Sequence, residues 1–225
     1  ALLASYDVLI LEGAHAHPTA WAAIMAARLR GKRVLLYTHG WPRRVERDWI
    51  NAIRTRFLRS ADGILLYGRR AKQIGVARGV PAQQMHVVFN CLDQRKIEAC
   101  RSRVDERLLT EFRIKTFGNA NFPIVTYIGR VREEKGLELV FGALARLNEG
   151  GVRAGFLIIG GGSAIGGLQR LSEQIGVPTH FAGPIYGEED LAVMLCASRV
   201  VVAPEAVGLT AVHAMSYGVP VVTHS

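Results

Sequence analysis

Residues 204–222 constrain this chain more than any other stretch. An apolar run at 200–203 reads as a buried strand, and Pro204 ends it. Gly208 lets the backbone come close to a neighbour. Residues 209–217 then read as a helix with Leu209, Val212 and Met215 or Ser216 on one side, Gly218 closes it, and 219–222 read as the next strand. The unit is strand, loop, helix, strand, with a carboxylate, Glu205, in the loop. The first N–H groups of such a helix have no intrahelical partner and lie at the positive end of its dipole, so the helix start is suited to an anion. Glu205 stands where a neutral hydroxylated group beside a bound phosphate can be gripped.

The same alternation runs through the whole chain. Strands are expected at 7–11, 33–37, 63–67, 86–89, 124–128, 155–159 and near 180–181, with helices at 19–30, 42–58, to about 78, 137–147, to about 175 and 188–196. Residues 94–117 read as helical, basic and polar. This pattern predicts an α/β protein with two doubly wound parallel sheets. Residues 118–123 (Gly-Asn-Ala-Asn-Phe-Pro) look like a linker, which puts the domains at 1–117 and 118–225. Ligands of such sheets bind beyond the carboxyl ends of the strands. Function is therefore expected in the loops at 12–17, 39–40, 90, 130–135, 160–163, 183–186 and 205–209.

Composition narrows the partners. The 225 residues carry a formal net charge of +9, divided unevenly: 21 Lys/Arg against 10 Asp/Glu in 1–117, and 7 against 9 in 118–225. A basic half beside a nearly neutral half suggests two domains with different partners. Three cysteines without CxxC spacing argue for a reducing compartment and against a zinc site. No apolar run is long enough to cross a bilayer, and no secretory leader is read. The chain has no initiator Met, starts almost on a strand and stops after another, so a fragment lacking both ends is expected. The expected location is the cytoplasm, peripheral at the inner face of the membrane.

Among the loops, Gly129–Gly136 carries Arg130 and Lys135 at the mouth of the second sheet. Arg holds two phosphate oxygens at once and Lys acts as a point charge. By itself this is an ordinary solvated loop, with Glu133 and Glu134 pairing the cations. The anion-ready helix start on the same sheet edge favours phosphate. The Gly160-Gly161-Gly162 loop fails the GxGxxG spacing and lacks the following acidic residue, so close backbone packing at a ligand mouth is the reading. A P-loop is absent, His15 and His17 lack a third metal ligand, and no Asp-x-Asp occurs. No metal and no cofactor are expected. Within 42–58, Val45, Trp49, Ile53 and Phe57 recur at i+4 among arginines. This apolar stripe is expected to pack on the sheet, while the charge draws the domain to anionic lipid.

Taken together, these loops resemble a family 4 glycosyltransferase of the B fold, with its two Rossmann-like domains. Glu205 through His213, with Ala214-Met215-Ser216-Tyr217-Gly218-Val219-Pro220-Val221-Val222, resembles the family signature in which seven residues separate two glutamates. Gly129-Arg130 with Lys135-Gly136, Ile159-Gly160-Gly161-Gly162, Phe181-Ala182-Gly183, Val87 to Asp93 and Tyr37-Thr38-His39-Gly40 match further family loops in order. The resemblance implies retaining, metal-independent transfer of a sugar from a nucleotide diphosphate sugar to an envelope polysaccharide, glycolipid or similar acceptor. It implies that Arg130 and Lys135 hold the diphosphate and that Glu205 contacts sugar hydroxyls. Gly208, Leu209 and Thr210 at the helix start would face the sugar and phosphate. Gly129 and Gly161 would lie against the nucleotide, Gly183 and Ile185 would border the base, and His39 would face the transferred sugar. His213 stands where the family has its second glutamate and is expected to meet the ribose with one acceptor where a carboxylate offers two oxygens. Phe89 and Cys91 replace a Pro and a Gly. Two other readings remain: a B-fold sugar-nucleotide epimerase, whose catalytic carboxylates are not evident, and a non-catalytic anion or nucleic-acid binder. The aromatic spacing of single-strand binders is lacking, so no nucleic acid is expected.

Overall fold

The computed structural model describes residues 5–41, 47–205 and 208–223. The chain separates into two compact units, Ala1–Asn90 and Cys91–Ser225.

In the first unit, β1 (Val8–Glu12), β2 (Arg33–Thr38), β3 (Gly63–Leu66) and β4 (Met85–Val87) form a parallel sheet in that order. The connections are α1 (Pro18–Leu29), α2 (Asp48–Arg59) and α3 (Arg69–Ala77). Alternate strand residues face opposite sides. Val34, Leu36, Ile64 and Leu66 are buried in one core with Ile24 of α1 and Phe57 of α2. The Trp21 and Phe57 rings meet edge-on at 4.9 Å. The Asp62 carboxylate accepts a hydrogen bond from the Val34 amide at 2.7 Å and ties the start of β3 to β2.

The face that α2 buries differs from the expected one. Phe57 is buried, but Trp49 is 59% and Ile53 42% exposed; Val45 lies outside the described residues. An i+4 repeat drifts by about 40° at each step of a 3.6-residue helix, so such a stripe rotates away from the sheet. The inward face is instead made by Asn51, Arg54, Phe57 and Leu58. The polar members of that face are satisfied in part by an Arg54 Nη1 bond to Asn51 Oδ1 at 3.0 Å.

The second unit opens with α4 (Gln94–Arg101) and α5 (Glu106–Phe117), started by the side chains of Asp93 and Asp105. Strands β5 (Ile124–Ile128), β6 (Gly155–Ile159), β7 (Thr179–Gly183), β8 (Val200–Ala203) and β9 (Val221–Thr223) pair in parallel in the order β7-β6-β5-β8-β9. The order reverses at β5, as in a doubly wound sheet. Helices α6 (Leu137–Glu149) and α7 (Ile165–Ile175) pack around Phe156 and Ile158, while α8 (Glu188–Ala197) and α5 pack around Leu157 and Ile159. Helix α9 (Leu209–Ser216) joins α4 and α8 around Val201. All of β6 is buried, because the sheet is covered on both faces.

The division between units therefore falls at 90/91, not at the expected 117/118. Ile97 and Cys100 of α4 share a core with Leu195 and Tyr217, and Phe112 and Phe117 of α5 pack at Leu157. The Gly-Asn-Ala-Asn-Phe-Pro segment marks a helix end: Gly118 takes the left-handed conformation, φ 74°, as the C-cap of α5. With this division the charge separates further. Residues 1–90 hold 14 Lys/Arg against 5 Asp/Glu, and residues 91–225 hold 14 of each.

Phe156 is fully buried and meets Phe141 edge-on at 5.1 Å. Phe156→Ala is expected to destabilise the second unit by about 3–5 kcal/mol. Urea unfolding followed by far-ultraviolet circular dichroism measures it.

Candidate functional site

Three loops at the carboxyl edge of the second sheet are bonded to one another. Gly129 N donates to Ile159 O at 2.9 Å, Val131 N to Gly161 O at 2.9 Å, and Gly160 N to Gly183 O at 2.8 Å. Such contact needs bare backbone. A Cβ on Gly160, whose φ is +144°, would overlap the Gly129 carbonyl oxygen, and one on Gly162 would overlap that of Val131. The glycine loop is thus a packing device, as its failed dinucleotide spacing suggested.

The loops enclose two adjoining cavities. One, of about 340 Å³, is lined by Tyr127, Arg130, Lys135, Glu205 and Thr210, with Gly129 at its wall. Lys135 Nζ lies 2.7 Å from Glu205 Oε2. The Tyr127 hydroxyl donates to the Arg130 carbonyl at 2.9 Å, which fixes the loop that carries Arg130. Burial, followed by the Glu205 and Glu134 carboxylates, raises the Tyr127 pKa, so the hydroxyl remains a donor at neutral pH. Thr210, in the first turn of α9, lines the cavity and donates to Ile128 O at 3.1 Å. Gly208 is the N-cap of α9, and among the described residues no side-chain cap bond is made there. The second cavity, of about 550 Å³, shares Ile128, Gly129 and Arg130 with the first and is closed by Gly161, Ile185 and Tyr186.

Arg130, Lys135, Glu205, Thr210 and Gly129 thus converge, and Gly161 and Ile185 adjoin them. Gly183, φ 71°, closes β7 behind Ile185. Gly208 and Leu209 start α9 without lining either cavity. His39 lies in the first unit, its ring edge-on to Tyr67 at 4.0 Å. His213 lines neither cavity. Its Nε2 lies 2.7 Å from Glu188 Oε1, which also accepts the Tyr217 hydroxyl at 2.7 Å. Sequence reasoning missed Tyr127 and Glu188. No local pattern marked Tyr127, whose bond goes to the backbone carbonyl of Arg130, or Glu188, 25 residues from His213. Among the described residues, no group of three His, Cys, Asp or Glu is placed to hold a metal ion, and no helix is long and apolar enough to cross a membrane.

With this site in view, comparison with known proteins places the chain. It belongs to the family described as glycosyl transferases group 1, whose profile matches residues 110–225; residues 1–96 match glycosyltransferase family 4. The chain is 29% identical over 187 residues to the 2-deoxystreptamine glucosyltransferase of Streptomyces kanamyceticus, covering 80% of this chain and 47% of that protein. It is 25% identical over 238 aligned positions to the GDP-mannose-dependent alpha-(1-6)-phosphatidylinositol monomannoside mannosyltransferase of Mycolicibacterium smegmatis, covering 98% and 59%. Anabaena HepE, solved in complex with UDP, superposes with a TM-score of 0.75 at 17% identity over 99% of this chain and 61% of that one. That likeness shows the glycosyltransferase B fold. The chain spans about half the length of the curated relatives it matches.

The Glu188 cluster carries a pH dependence. Burial pushes the Glu188 pKa up. The hydrogen bonds from His213 and Tyr217, and then the charges of His213 and Lys96, outweigh burial and leave the pKa below its ordinary 4.5. A depressed carboxylate supplies stability that is complete above the ordinary value and is lost as pH falls through the lower, folded one. Urea midpoints measured from pH 7 to 3 are expected to fall more steeply below pH 4.5 for the native chain than for Glu188→Gln.

Proposed function

We propose that this chain is the donor-binding part of a retaining glycosyltransferase. The enzyme moves a hexosyl group from a nucleotide diphosphate sugar to an envelope polysaccharide, glycolipid or similar acceptor, without a metal. The observation that carries the reading is the meeting of Arg130, Lys135 and Glu205 in one cavity beside the first turn of α9. Two cations and a helix N-terminus supply positive charge where a leaving diphosphate accumulates negative charge. The Lys135 ammonium has three donors, so it can keep Glu205 in place while bonding phosphate. Glu205, so positioned, accepts from sugar hydroxyls. The adjoining cavity between Gly161 and Ile185 has the room for a nucleobase. UDP in HepE and GDP-mannose in the mycobacterial relative support a nucleotide donor. His39, at the carboxyl end of β2, is the candidate for the acceptor side.

The first unit supports an anionic acceptor or membrane surface. A groove of about 910 Å³ between α1 and α2 is lined by Arg28, Arg56, Arg59 and Arg78 over Trp21 and Ile24. The exposed Trp49 and Ile53 lie on the same helix as Arg56 and Arg59. Such a surface is suited to acidic headgroups. Vesicles rich in phosphatidylglycerol are expected to sediment the chain, less so as salt rises, and phosphatidylcholine vesicles are not.

Thermal unfolding tests the donor site. At tenfold its dissociation constant, UDP or GDP is expected to add about 1.4 kcal/mol, worth roughly 3–6 °C for a chain of this size. Lys135→Ala is expected to remove most of that rise while leaving the ligand-free midpoint within about 2 °C. No rise with either nucleotide would overturn the reading.

A further inference from the structure

We propose that the groove between α1 and α2 seats the phosphate-monoester headgroup of a membrane lipid, as an anchor set apart from the acceptor position. The inference rests on the membrane reading of the first unit above and names the headgroup that such a surface would take.

Position comes first. Three helices bring arginines to one edge of the first sheet. Arg28 lies in the last turn of α1, Arg59 ends α2 and Arg78 caps α3. Each precedes the start of the next strand by a few residues, so all three stand at the amino edge, and Arg56 adds a fourth cation in the last turn of α2. All four line the groove. His39 follows β2 and lies at the opposite, carboxyl edge of the same sheet. The length of α2, roughly 18 Å for twelve residues, runs between the two edges. A group held by the arginines is therefore not the one presented to His39.

Cations at helix ends have an ordinary use, because they offset the negative end of the dipole. Arg30 is used in this way and donates to the Ala26 carbonyl at 3.2 Å. Among the described residues, none of the four groove guanidinium groups makes a hydrogen bond or an ion pair. The carboxylates near that edge are engaged elsewhere: Asp7 with Lys32 at 3.2 Å, and Asp62 with the Val34 amide at 2.7 Å. Asp48, on the groove wall, stands at the far end of α2. Four like charges without a counter-charge call for an anion of more than one charge. Each guanidinium offers paired donors to neighbouring oxygens. A phosphate monoester brings three such oxygens and a charge of about −1.5 to −2. A diester brings two free oxygens and one charge, and fits less well.

The rims of the groove say where that monoester resides. Met25 and Leu29 on α1 and Trp49 and Ile53 on α2 are exposed apolar side chains. Beside a row of arginines, such side chains are suited to the boundary between headgroups and acyl chains. A free phosphorylated metabolite would leave them in water, whereas a lipid covers them.

The test uses the 225-residue chain and phosphatidylcholine vesicles carrying either phosphatidic acid or phosphatidylglycerol, mixed to equal zeta potential so that long-range attraction is the same. Sedimentation is expected to show about tenfold tighter binding to phosphatidic acid, as one further charge-assisted bond would give. That comparison needs no variant. In Arg28→Gln/Arg59→Gln the preference is expected to shrink to within about twofold, with the thermal midpoint nearly unchanged because both side chains are exposed. Trp49→Ala is expected to weaken binding to both lipids alike and to keep the preference, which separates insertion from headgroup recognition. Glycerol 3-phosphate, a monoester without acyl chains, is expected to change vesicle binding by less than about twofold, since it cannot use the apolar rims. Equal binding of the two lipids at matched charge, or a preference that survives the double arginine variant, overturns the headgroup site and leaves the membrane reading intact. Loss of the preference in Trp49→Ala, or displacement of the chain from vesicles by glycerol 3-phosphate, overturns it likewise, the latter in favour of a free phosphate ligand. Failure to bind either lipid overturns both the headgroup site and the membrane reading.

Discussion

The candidate site at the carboxyl edge of the second sheet depends on backbone bonds between loops more than on any side chain. Gly129, Val131 and Gly160 donate across to Ile159, Gly161 and Gly183, so the ends of β5, β6 and β7 are laced together. Arg130 lies between two of these bonded residues, and its own carbonyl is held by Tyr127. A long cationic side chain is costly to immobilise. Here the backbone on either side of Arg130 is already fixed, so ordering the guanidinium costs only the side chain's own freedom. The same lacing explains why Gly160 and Gly162 have no room for a Cβ.

Much of this was legible in the sequence, and for identifiable reasons. Apolar runs bounded by Gly and Pro gave the strands, because a sheet covered on both faces has to be apolar throughout, as all of β6 is. The packing role of the glycine loop was readable because a failed motif still reports where side chains are forbidden. The inward face of α2 was not readable, because it holds Asn51 and Arg54, whose mutual bond replaces water. The unit boundary was misplaced because a left-handed glycine after a helix looks, in composition, like a linker. Glu188 was invisible because its meaning lies in a contact that only the pairing of α8 with α9 creates.

The two units differ electrostatically. All of the net charge resides in residues 1–90, and residues 91–225 are balanced. The second unit carries as many cationic side chains as the first, 14, but an equal number of carboxylates offsets them, so its positive charge acts only locally. A strongly basic unit acts at longer range and is tuned by salt.

The contact between Lys135 and Glu205 gives the cavity its own counter-ion pair. The ammonium keeps donors beyond the one that holds the tethered carboxylate. A ligand with several charges and hydroxyl groups can satisfy both members at once: oxygens for the lysine, donors for the glutamate. The pair thus sets a cation and an acceptor side by side, and matching both takes a molecule that carries acceptors and donors together.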